Sequence, residues 1–100
     1  MTKPIWHKNY TLDAVRDLTN VNMVKYLGIT LTDLGADSLT GTMPVDHRTT
    51  QTIGLLHGGA SAVLAETLGS IAANLCVDRE HFNCVGTNIT SNHLRSVTSG

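Results

Sequence analysis

Glu66 is the only charged residue between His57 and Cys76, and the turns around it carry Ala62, Ala65, Gly69 and Ala73. A carboxylate set among small apolar residues is either a reacting group, as nucleophile or general base, or a polar contact at a seam between two chains. The same run opens with His57-Gly58-Gly59. Two glycines where a helix starts present backbone N–H groups that lack intrahelical acceptors, at the positive end of the helix dipole. Such an end holds an anion or a developing oxyanion, and glycine lets a substrate approach the backbone without meeting a side chain. The plain alternative is that the glycines only end a loop. Together, the donor-rich start and the isolated acid point to hydrolysis of an activated acyl group. Ser70, one turn beyond Glu66 on the same face, is placed to hydrogen-bond the acid or the acyl group. As a nucleophile it lacks a His/Asp relay.

The element that positions these groups is a helix over residues 57–76. Leu64, Leu68, Ile71 and Leu75 follow at steps of four, three and four, which makes one apolar stripe that needs cover. Gly58 and Glu66 are eight residues apart, roughly 12 Å along the axis at about 1.5 Å per residue. One helix therefore cannot bring them together. Two copies running antiparallel across a twofold axis, meeting on their small-residue faces, bring Glu66 of one chain to Gly58 of the other and form two equivalent sites.

Upstream, Thr11 reads as the cap of a helix over 12–18, and a second short helix over 22–27 stops at Gly28. Residues 29–34 alternate as a strand, Gly35-Ala36-Asp37 turns the chain, and 38–45 returns antiparallel, with Pro44 marking its end. Residues 46–56 form a polar loop that delivers the chain to the long helix. Residues 78–81 form a solvated turn, and 84–94 alternate as a third strand.

One hundred residues make one domain with a thin core, burying only about 60 to 65% of its unfolded surface. A net charge of −1 without a Lys/Arg cluster argues against nucleic acid as a partner. The apolar run at 53–77 is interrupted by His57 and Glu66, which argues against a membrane span. The N-terminus has no apolar signal core, so the cytoplasm is the default location. Cys76 and Cys84 show no framework spacing and read as reduced thiols, and His81 with Cys84 lacks the second pair that a closed metal site requires. No metal or other cofactor is called for. His7 and His47 read as exposed.

Met43-Pro44-Val45-Asp46, Arg48-Thr49, Gln51, Gly54-Leu55-Leu56-His57-Gly58-Gly59-Ala60-Ser61 and Leu64-Ala65-Glu66-Thr67-Leu68-Gly69-Ser70 resemble the hotdog-fold acyl-CoA thioesterases. Within that family the likeness is to the bacterial branch that hydrolyses 1,4-dihydroxy-2-naphthoyl-CoA in menaquinone synthesis and its sister, the enterobactin proofreading thioesterase. It extends from Ile5 to Gly100. The resemblance implies an α+β hotdog domain over residues 1–100, a long helix wrapped by an antiparallel sheet, forming a homodimer or homotetramer. Members of the branch continue beyond the equivalent of Gly100 by roughly three strands of about 5 or 6 residues each, so the domain is expected to lack its C-terminal strands.

The resemblance also assigns roles. Glu66 attacks the thioester carbonyl directly or through water, and the Gly58 amide, beside Gly59, is the oxyanion donor. His57 orients the thioester or the attacking water, or is a satisfied histidine at a helix start; Gln51 donates to the carbonyl, or is an exposed loop amide. Ser70 contacts the acyl group, while His93 and Arg95 meet the phosphates of coenzyme A or are simply solvated. Thr52-Ile53 stands where the related enzymes carry Pro-Phe, which bears on the shape of the acyl pocket. The alternatives are a non-catalytic hotdog fragment that binds acyl-CoA or serves as an assembly subunit, and a thioesterase acting on acyl carrier protein.

Overall fold

Thr11 starts the first helix because its Oγ1 accepts from the Ala14 amide at 3.2 Å, satisfying one of the donors a helix start leaves free. The computed structural model describes residues 3–100. Helix α1 spans Leu12–Thr19 and helix α2 spans Asn22–Tyr26. The chain leaves α2 through Gly28, whose φ of +72° only glycine adopts without strain. A Cβ there would also lie 3.0 Å from Pro44 Cγ and 3.2 Å from Arg48 Nη2, so the loop ahead of the long helix can close onto α2.

Strands β1 (Thr30–Leu34) and β2 (Leu39–Thr42) pair antiparallel, Leu31 opposite Gly41 and Leu34 opposite Leu39, with Thr32 as the extra residue of a bulge. The second strand is shorter than the 38–45 read from the sequence, stopping two residues before Pro44, which has no amide hydrogen to continue a ladder. Helix α3 spans Gly58–Leu75, within one residue of the expected span at each end.

The core sits where α1, the hairpin and α3 meet. Val15, Leu31 and Leu75 are buried together, with Leu34, Leu39, Leu68, Ile71 and Trp6 packed around them. The stripe read from the sequence is thus the face that α3 lays on the sheet. Gly41 allows it: a Cβ at that position would come within 2.8 Å of Leu68 Cδ2 and 3.1 Å of Thr30 O. The N-terminal segment straps these layers together. The Trp6 indole donates to Gly35 O at 2.8 Å, and the His7 amide donates to Leu75 O at 2.8 Å. Arg16 Nε joins α1 to β1 through Leu31 O at 2.7 Å.

Residues 84–94 are not a strand, contrary to the alternation of their sequence. A strand is stable only when its backbone N–H and C=O groups meet a neighbouring strand. Among the described residues none pairs with this stretch. It lies against α3 at Gly86, fastened at Cys84 and, just beyond its end, at Val97, with Val85 and Leu94 exposed.

Candidate active site

The loop over 46–57 is held by a network that fixes the start of α3. Arg48 grips the Asp46 carboxylate with Nη2 at 2.6 Å and Nε at 3.1 Å, and its Nη1 donates to Tyr26 O at 2.7 Å. The Arg48 side chain, and next its backbone N–H, donate to the Asp46 carboxyl and hold its pKa down to about 2. Thr49 is buried, donating to Pro44 O at 2.9 Å and accepting from the Asp46 amide at 3.1 Å. The backbone then bridges Thr50 to Leu56, and the His57 amide donates to Thr49 O at 2.7 Å.

Gln51 lies in this loop with its Oε1 accepting from the Ile53 amide at 2.6 Å and the Leu55 amide at 3.3 Å. Two backbone donors on one atom fix which end of the side chain is oxygen. Nε2 is the end left to donate, which is what bonding a carbonyl requires.

His57 is the N-cap of α3, and its Nδ1 accepts from the Gly59 amide at 2.8 Å. Accepting there places the ring proton of the neutral imidazole on Nε2. The Gly59 N–H, expected beside the substrate, is therefore already taken by His57, and the Ser61 amide donates to His57 O at 3.1 Å. Among the described residues none accepts from the Gly58 amide. The His93 ring lies against Gly58, since a Cβ there would meet its Cε1 at 3.1 Å.

Gln51, Gly58, His93 and Arg95 line one groove of about 440 Å³, together with Leu55 and Val97. Glu66 and Ser70 line another, of about 220 Å³, with Ala65, Gly69, Cys84, Gly86 and Ile89. The structure thus sorts the expected site residues into two groups on one chain. Donors and basic side chains gather at the start of α3, and the acid with its serine gathers two turns along. The second groove alone is smaller than the roughly 300 Å³ at which ligand pockets begin.

Two contributors went unread in the sequence. Asn74 Nδ2 donates to Ser70 O at 2.8 Å and Cys84 O at 2.9 Å, while its Oδ1 accepts from the Cys84 amide at 2.8 Å. A polar, weak helix former near the end of a helix built mostly of small and apolar residues was the available signal. Gly86 lies directly against the Glu66 carboxylate. A single glycine inside an alternating stretch often marks such a close approach. The Asp78 carboxyl is lowered by the His81 ring 2.7 Å away, an exposed pair outside both grooves. No helix among the described residues is long and apolar enough to cross a membrane.

Residues 53–100 match the thioesterase superfamily. Over 96 residues, 96% of its length, the chain is 49% identical to the 1,4-dihydroxy-2-naphthoyl-CoA hydrolase of Escherichia coli and covers 70% of it. It is 52% identical to the proofreading thioesterase EntH of Cronobacter sakazakii, covering 69% of that protein. Among solved structures, a mutant thioesterase from Pseudomonas aeruginosa superimposes with a TM-score of 0.89 at 45% identity, over 96% of this chain and 69% of that one. A thioesterase from Haemophilus influenzae gives 0.87 at 48% identity, over 96% and 66%.

Proposed function

This chain belongs to the thioesterase superfamily, with its hotdog fold and thioester hydrolase chemistry, and on that premise we propose that it hydrolyses an acyl-CoA to the free acid and coenzyme A. The observation that carries the reading is the division of the site residues between two grooves along α3, donors in one and the acid in the other. That division is what a twofold pair of chains needs to build a complete site at each end of the seam.

In this mechanism the thioester carbonyl lies between the Gly58 N–H and Gln51 Nε2 of one chain. Glu66 of its mate either attacks the carbonyl carbon or takes a proton from the water that does. The carbon–sulfur bond breaks, the electron pair leaves with the coenzyme A thiolate, and water supplies the oxygen and protons of the products. His57 caps the helix that presents Gly58 and keeps a ring N–H for the thioester or water. Arg95 and His93, in the groove with Gly58, receive the phosphates of the carrier. Ser70 serves the acid or the polar end of the acyl group. The exposed Ala65, Gly69 and Ala73 of α3 support a homodimer or homotetramer in which another chain covers that face.

An aromatic acyl group is the first choice, 1,4-dihydroxy-2-naphthoyl above others, because the Escherichia coli relative is named for that substrate. With it the reaction serves menaquinone synthesis in the cytoplasm. The test is a panel of aryl- and fatty acyl-CoA esters with a thiol-reactive reporter. Release from an aryl-CoA is the expected result. No release from any ester, together with tight coenzyme A binding, would overturn hydrolysis in favour of an acyl-CoA-binding module.

A further inference from the structure

The backbone at Gly86 does not occupy the left-handed region; among the described glycines only Gly28, Gly54 and Gly100 do. Alanine would therefore suit the chain conformation there, and what the position refuses is the side chain itself. A Cβ on Gly86 would overlap Glu66 Oε1 and stand 3.1 Å from its Cδ and 3.5 Å from its Cγ, so it meets the acid along its length. The segment is also anchored close by. Two residues earlier, Cys84 is held through both its amide and its carbonyl by Asn74, itself bonded to Ser70 O on α3.

We propose that Gly86 is a positioning residue for Glu66: its bare backbone forms a close wall against the carboxylate, which fixes the reach of the acid into the groove it shares with Ser70. The inference rests on the reading of Glu66 as the reacting acid. A methyl group at 86 has to push aside either the carboxylate or the segment from 84 to 89. Displacing a reacting group by about 1 Å costs on the order of a hundredfold in rate.

The test is kinetic, with 1,4-dihydroxy-2-naphthoyl-CoA and benzoyl-CoA as probes and the full chain as catalyst. Gly86→Ala is expected to lower kcat by tenfold or more with KM within threefold and the melting temperature within a few degrees. Thr87→Ala, its exposed neighbour, is expected to leave kcat unchanged. In a Glu66→Asp background, where the acid is shorter by one methylene and leaves room for the methyl, Gly86→Ala is expected to cost less than threefold. Wild-type kcat in Gly86→Ala, the same loss in both backgrounds, or a collapse of the melting temperature would each overturn the inference. Glu66→Gln separates the two claims. If it keeps turnover, the role of the acid falls and Gly86 falls with it; if it is inactive while Gly86→Ala is fully active, only the positioning role falls.

Discussion

The Nδ1 atom of His57 accepts a hydrogen bond from the Gly59 amide 2.8 Å away, so the residue that opens the long helix also caps it. One consequence is that Gly58 and Gly59 are not equivalent. The Gly59 donor is spent on the cap, and the amide left for a developing oxyanion is Gly58.

His57→Ala is expected to lower stability by about 1 kcal/mol through loss of the cap, with His57→Asn recovering most of it, because asparagine is a good N-cap. Urea unfolding followed by circular dichroism measures both. Turnover should fall in the alanine variant by less than the roughly 100-fold that loss of an oxyanion donor itself brings. Full activity with an intact helix in His57→Ala would remove the histidine from the site.

Glu66→Gln keeps the shape of the side chain and removes its charge. The expected outcome is a folded chain with the parent melting temperature and thiol release reduced by at least about a thousandfold. Retained turnover would exclude Glu66 as nucleophile or base.

Asp46 makes a pH-dependent contribution whose sign follows from its partner. Its carboxyl titrates at about 2 in the fold against an ordinary 3.8, so between those values the folded chain binds fewer protons than the unfolded one. The stability gained from the Asp46–Arg48 contact is therefore complete above pH 3.8 and fades as pH falls toward 2. Urea midpoints of the parent and Asp46→Asn should differ at neutral pH and converge across that window. A difference that stays constant down to pH 2 would contradict this account.

Asn74→Ala removes three hydrogen bonds, two of which fasten the segment after α3 to the helix, at a cost of about 1 to 2 kcal/mol. Because that segment forms the far wall of the Glu66 groove, amide exchange at Cys84 and turnover should change together. Exchange unchanged at Cys84 would show that Asn74 is not the fastener.

Helix α3 was legible because helix formation is local. The steps from Leu64 to Leu75, the polar start and the glycine pair all act within a few residues, and the observed ends lie within one residue of those read. Thr11 and Gly28 were legible for the same reason, each acting on its own backbone. The segment 84–94 was misread because alternation says only that a stretch suits a strand, whereas forming one takes a neighbour that the stretch does not contain.

By itself the sequence determined which groups are present and on which face of which helix they sit: the acid and Ser70 on one turn pair, the donors at the helix start. Only the tertiary structure decided how they are grouped. It turned the Gln51 oxygen into its own loop, leaving the amide nitrogen to donate; it gave the Gly59 N–H to His57; and it brought His93 and Arg95 to Gly58. It also set Gly86 against Glu66 across a fold of twenty residues. The physical reason is range: backbone propensity and capping act over a single turn, while the approach of distant segments is settled by packing and hydrogen bonds that exist only once the chain has closed.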